Sequence, residues 1–239
     1  MSAAPFVVVV FGAIGVGKST VVERLARSTS QRVVAIREPV AAMVDSGALA
    51  AVADNRSSSG HVLQMIVLAE RLSSYWRAQA ALDGEPLDAA RAPTTVVCDG
   101  HLMLDSSIFV SEHVRAGRMS NKERGHYDSA VYTMLAQSPT FAQRPHMYVY
   151  LHASAHQCLA RSLQRGRSEE SNLGTEQMQR YIARCDALVK SLAAEGTSTV
   201  VTVRTDGASA DDVATQVEQL IATHTNAYTA HDDNFFAST

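Results

Sequence analysis

The chain has 239 residues, 46% hydrophobic and 19% charged, with a net charge of −3. That length buries a sizeable core, and the slight acidic excess argues against a duplex nucleic-acid binder, which carries a basic patch. Three widely spaced cysteines (Cys98, Cys158, Cys185) give no disulfide framework or zinc spacing, and no apolar run approaches the roughly 20 residues that span a bilayer, so no membrane partner is expected.

Phe6-Val7-Val8-Val9-Val10-Phe11 reads as a strand buried on both faces. No basic leader precedes it, which makes a cytoplasmic protein the expectation. Gly12-Ala13-Ile14-Gly15-Val16-Gly17-Lys18-Ser19-Thr20 follows and matches G-x-x-x-x-G-K-[ST], the phosphate-binding loop. In such a loop several backbone N–H groups converge on phosphates, the lysine reaches the β and γ phosphates, and the serine hydroxyl takes a place around Mg²⁺. The strand before and the helix-forming run after it supply the context that the pattern requires, so the chain is read as binding a nucleoside triphosphate.

Further apolar, β-branched runs at 32–37, 95–99, 147–151 and 199–204 predict four more strands. Amphipathic stretches at 18–30, 61–82, 102–115, 121–137, 155–165, 175–194 and 210–223 predict helices between them. The alternation predicts a doubly wound parallel sheet with helices on both faces, its sites at the carboxyl ends of the strands. Residues 83–93 read as a loop insertion, 57–60 as a flexible joint, and 225–239 as a polar, frayed tail after a single domain over 1–224.

Several residues at these ends carry chemistry. Asp99 closes the third strand, where a metal-associated carboxylate sits beside a phosphate loop; its alternative role is to cap the next helix. Glu38, fixed by Pro39 at the end of the second strand, is placed to accept a proton from an attacking hydroxyl, although Glu-Pro is also a common loop element. Arg161, Arg165 and Arg167, spaced by four and two around Gly166, form a cationic clamp suited to phosphoryl oxygens and a mobile lid over about 161–174. The alternative is a solvated face in which the arginines pair with Glu169 and Glu170. His152 and His156 are four apart but straddle a strand end and a helix start, which speaks against a zinc site.

In this order the landmarks resemble the deoxynucleoside kinase family, which includes deoxycytidine, deoxyguanosine and herpesvirus-type thymidine kinases, from about residue 7 to 222. Glu38-Pro39-Val40 looks like that family's Glu-Pro-Val, whose glutamate is the general base for the sugar 5′-hydroxyl. Gln64 looks like the glutamine on the base edge. Arg71 and Asp105 fall where cytidine and purine kinases carry an Arg–Asp pair against the base. Arg161, Arg165 and Arg167 look like the arginine-rich lid, and Glu170 falls where a glutamate holds the 3′-hydroxyl. The resemblance implies a P-loop kinase fold with a five-stranded parallel sheet in order 2-3-1-4-5, ATP and Mg²⁺, deoxynucleoside substrates and a homodimer. Its Arg–Asp pair suits bases with an exocyclic amine, favouring deoxycytidine or purine deoxynucleosides over thymidine.

The chain departs from that pattern in three places. Asp99-Gly100-His101 stands where the family reads Glu-Arg-Ser or Asp-Arg-His, Met43 takes the place of a tryptophan, and no tyrosine is evident to accompany Glu170. Losing a cation at 100 can cost several kcal/mol of transition-state stabilisation. Restoring it (Gly100→Arg) is therefore expected to raise turnover, and His101 is a candidate to fill part of the gap. Two rivals stay open: a thymidylate-type monophosphate kinase, with Arg37 receiving the acceptor phosphate, and a catalytically weak nucleotide-binding relative.

Overall fold

The computed structural model describes residues 4–28, 32–84 and 94–236, with side chains to residue 227. Five parallel strands, β1 (Phe6–Phe11), β2 (Val33–Ile36), β3 (Thr95–Asp99), β4 (Met147–His152) and β5 (Thr199–Arg204), form one sheet in the order β2-β3-β1-β4-β5. The hydrophobic run that predicts β1 places it at the centre, where all six of its residues are buried. Each buried valine there stabilises the fold by about 1.5–3 kcal/mol. Its pairing with β3 sets Val10 beside Asp99, and its pairing with β4 sets Phe11 beside Tyr150. The strand ends, and the loops that follow them, therefore open on one edge of the sheet.

Helices cover both faces: α1 (Lys18–Arg27), α2 (Val40–Asp45), α3 (Ala48–Ala53), α4 (Ser59–Asp83), α5 (Leu102–Asp105), α6 (Ser111–Arg115), α7 (Asn121–Gln137), α8 (Thr140–Gln143), α9 (Ala155–Arg165), α10 (Thr175–Glu195) and α11 (Ala210–Phe236). Among the described residues no helix is long and apolar enough to cross a membrane. Helix α7 opens on a capping box, Ser120 and Glu123 each satisfying the other's backbone N–H.

The structure corrects several boundaries. The predicted joint at 57–60 is instead the start of α4: Ser59 and Gly60 are buried, and the Gly60 N–H donates to the Arg118 carbonyl at 2.9 Å. Tertiary contact outweighs the local preference of serine and glycine for turns. The predicted helix 102–115 is one continuous run broken by a π-helical turn, Ser106–Val110, which inserts a wider turn between α5 and α6. The last helix runs to Phe236, so the segment expected to fray from Thr225 is helical. Most of the predicted insertion, residues 85–93, lies outside the described residues.

Candidate active site

A cleft of about 630 Å³ opens at the strand ends, within the size range of small-molecule sites. Its floor at one end is the loop between β1 and α1. Ile14, Gly15, Val16, Gly17, Lys18, Ser19 and Thr20 line it, while Gly12 lines a smaller recess alongside and Ala13 is buried. Lys18 Nζ donates to the carbonyls of Gly12 (3.1 Å) and Ala13 (3.2 Å), which holds its charge at the mouth of the loop. With Gly17 in a left-handed conformation (φ 109°) capping α1, the backbone N–H groups of the first turn stay available for phosphate.

The two acids meet beside this loop. Glu38 lines the cleft in the turn between β2 and α2, where Pro39 starts the helix that carries Met43 into the same wall. Asp99 is 1% exposed, and neither carboxylate oxygen has a hydrogen-bond partner among the described residues. Burial, then repulsion from Glu38, pushes its pKa above the ordinary carboxylate value, with the charge of Lys18 working the other way. An orphaned buried carboxylate beside Lys18 and Ser19 fits a cation, and Mg²⁺ typically takes one or two carboxylates and completes its shell with water and phosphate. Asp99 does not cap the next helix; His101 does, accepting from Met103 N–H on Nδ1 (3.3 Å). With its Nε2 bonded to the Ala142 carbonyl at 2.8 Å, buried His101 has both nitrogens committed to the scaffold and replaces no catalytic cation.

A cation does occupy the neighbourhood of Gly100. Arg71, from α4, donates from Nε to Asp105 Oδ2 (3.0 Å) and from a terminal nitrogen to the Asp99 carbonyl (2.7 Å). Burial opposes its charge, but Asp105, Glu38 and Asp99 hold it firmly protonated. Gly100 sits at φ +78°, and a Cβ built there would lie 2.5 Å from the Arg71 guanidinium. The expectation for Gly100→Arg is therefore reversed: the backbone conformation disfavours any side chain, and Arg71 already fills the space.

Farther along the cleft Arg71 and Asp105 stand with Gln64 and Met43, all four lining it. Arg71, Asp105 and Gln64 are 2–4% exposed, so none is a surface pair. Among the lining residues that the sequence reading does not single out are His113, Arg118 and Asn55. His113 follows Asp105 by eight positions, with Phe109 between them also on the cleft wall; this four-residue repeat was the available signal. Arg118 donates to Asn55 Oδ1 at 2.8 Å and from Nε to His113 Nδ1 at 3.3 Å. Burial, then the Arg118 charge, lowers His113 to about 4, so its ring is neutral.

The arginine cluster splits. Arg161 is bound into the scaffold, donating to the Val16 carbonyl (3.2 Å) and to the Thr205 hydroxyl (2.9 Å) and carbonyl (2.6 Å). It lies inside α9 rather than in a lid. Arg165 and Arg167 flank Gly166, where the helix ends, and both pair with Glu170, Arg167 at 3.1 Å. Burial pushes Glu170 up, but hydrogen bonds from Arg165 and Ser162 and the charges of the arginines hold it below the usual carboxylate range. All three arginines and Glu170 line the cleft. Arg37 is exposed and outside it, which leaves the monophosphate-kinase reading without its second phosphate site.

No curated protein matches this sequence. Among solved structures, the chain is similar to deoxyadenosine kinase from M. mycoides, determined with product dCMP and a flexible dCDP bound. The two share 16% identity over 91% of this chain and 100% of that one, with a TM-score of 0.68, a likeness of fold. A family model for deoxynucleoside kinases matches residues 8–227. With that match spanning nearly the whole sheet and cleft, the chain belongs to the deoxynucleoside kinase family and is an ATP-dependent kinase.

Proposed function

We propose that this kinase transfers the ATP γ-phosphoryl group to the 5′-hydroxyl of a deoxynucleoside whose base carries an exocyclic amine, with deoxycytidine and purine deoxynucleosides ahead of thymidine. The observation that carries the reading is the buried Arg71–Asp105 pair in the same cleft as the phosphate loop, with Glu38 also on its wall. Asp105 receives Arg71 on Oδ2; its Oδ1 accepts from a base amine, and the remaining guanidinium donors meet a ring or carbonyl acceptor. Thymine has no such amine.

In this reading Lys18 and the loop backbone hold the donor phosphates, and Glu38 takes the 5′-hydroxyl proton. Ser19 and Asp99 hold Mg²⁺, which offsets charge on the phosphates. Arg165 and Arg167 leave Glu170 in part to meet the transferring phosphoryl group, Glu170 then receiving the 3′-hydroxyl. Arg71 supplies the buried cation at the third strand's end that Gly100 does not. Catalysis is then mostly positioning and electrostatics. A homodimer is part of this reading, to be checked by light scattering; α4 and α7 pack on each other and carry the exposed aromatics Trp76 and Tyr132.

The test is product formation from ATP and Mg²⁺ with each of the four deoxynucleosides and thymidine monophosphate. Monophosphates from deoxycytidine or a purine are expected. Thymidine as the sole substrate overturns the role of Arg71–Asp105, and a diphosphate product from thymidine monophosphate overturns the acceptor class.

A further inference from the structure

Gln64 lies one helical turn after Gly60 on α4, and its amide nitrogen is 3.4 Å from His113 Nε2. What His113 can offer at Nε2 is decided at its other nitrogen. Arg118 Nε–H, always a donor, points at Nδ1 (3.3 Å). A neutral ring that accepts at Nδ1 carries its proton on Nε2, so Nε2 is a donor as well. Two N–H groups would then face each other. Turning the Gln64 amide through 180° sets its oxygen against His113 Nε2–H and its NH₂ where the oxygen was. That second position is buried and has no hydrogen-bond partner among the described residues, so a ligand acceptor is needed there.

The surroundings hold this relay in place. A Cβ at Gly60 would come within 2.6 Å of the His113 ring, so the ring fills the space that a side chain at 60 would take. Arg118 is held at its far end by Asn55, the left-handed residue (φ 54°) of the Schellman turn that ends α3. Four residues on three separate segments thus converge on the orientation of one amide.

We propose that Arg118 and His113 are positioning residues that lock Gln64 with its NH₂ toward the nucleobase. This rests on the reading of the cleft as a deoxynucleoside site. Next to the exocyclic amine, adenine N1 and cytosine N3 are acceptors, whereas guanine N1 and thymine N3 carry hydrogen and oppose the locked NH₂. The lock selects deoxyadenosine and deoxycytidine over deoxyguanosine and thymidine, which separates the two purines where the Arg71–Asp105 pair does not.

The experiment measures kcat/KM for the four deoxynucleosides in the wild type, His113→Leu and Arg118→Met, with the His113 tautomer read by long-range ¹H–¹⁵N NMR of the wild type. The wild type is expected to favour deoxyadenosine and deoxycytidine over deoxyguanosine and thymidine by at least about tenfold, and each variant to reduce that ratio by about tenfold, one hydrogen bond's worth. The ring should show its proton on Nε2. Arg118→Met keeps the ring and decides the matter if His113→Leu does not fold. A preference for deoxyguanosine or thymidine, a proton on Nδ1, or an unchanged ratio in variants that lose only stability overturns the lock while leaving the kinase reading intact. No phosphorylation of any deoxynucleoside by the wild type overturns both.

Discussion

The two ends of the cleft are built on different plans. At the proposed phosphate end the loop itself is one contiguous stretch, Gly12 to Thr20, which sets backbone N–H groups of a strand–helix junction beside the Lys18 ammonium. At the proposed base end Arg71, Asp105, Gln64, His113 and Arg118 come from α4, the segment from α5 to α6, and the loop beyond it. They are buried polar side chains paired with one another, apart from one end of the Gln64 amide. A site made of backbone tolerates change in its neighbours. A site made of mutually dependent buried side chains does not, because removing one partner leaves the next desolvated and unpaired.

The sharpest way to test the contrast is to remove chemistry at one end and pairing at the other. Glu38→Gln is expected to cut kcat by about 10²–10⁴, the usual worth of a general base, with the unfolding midpoint hardly moved. Arg71→Met removes the partner of a carboxylate with only 4% of its side chain exposed and is expected to cost about 3–5 kcal/mol of stability. Thermal melts beside initial rates check both. If Arg71→Met melts like the wild type, the base end is not the interlocked unit described above.

Gly100 lies where the two ends meet. Gly100→Arg is expected to lower kcat/KM by about tenfold or more, because the new side chain demands an unfavourable left-handed backbone, worth about 1–2 kcal/mol alone, and displaces the Arg71 guanidinium. A rise in turnover would mean that Arg71 does not serve as the cation at this strand end, and would restore the view that the site lacks one.

The same contrast explains what was legible beforehand. The strands, the phosphate loop and the acids at strand ends are local patterns (a buried run, a glycine spacing, a carboxylate after β-branched residues), whereas the strand order came from the family resemblance. Glu38, Asp99, Arg71, Asp105 and Gln64 all come to the cleft or its edge as their place in the chain implies. The repeat of Asp105, Phe109 and His113 could have put His113 on the cleft wall, but the relay itself was not legible, because it joins residues 55, 60, 64, 113 and 118 through contacts that no spacing encodes. Nor was the meaning of Gly100: a missing arginine reads as a lost function until the side chain of Arg71 is seen in its place. Helices α2 and α3 were missed for a third reason. Each is six residues long, too short to show a period, and α2 begins on Pro39 and α3 after Gly47, which read as loop punctuation.

The smallest effect belongs to Glu170, which stands apart from both plans as a carboxylate shared by two arginines. Its pKa is held below the ordinary glutamate value of 4.5, so the folded state binds its proton more weakly than the unfolded chain does. The contribution is therefore complete above pH ~4.5 and is lost as the pH falls through the lowered value. Glu170→Gln is expected to cost about 1–2 kcal/mol near pH 7, the worth of charge-assisted hydrogen bonds. In urea melts the gap from the wild type should close as the pH is taken below 4. A gap that stayed constant with pH would show that packing of the side chain, rather than its charge, ties Arg165 and Arg167 down. The two arginines would then be less ready to exchange Glu170 for a phosphoryl group.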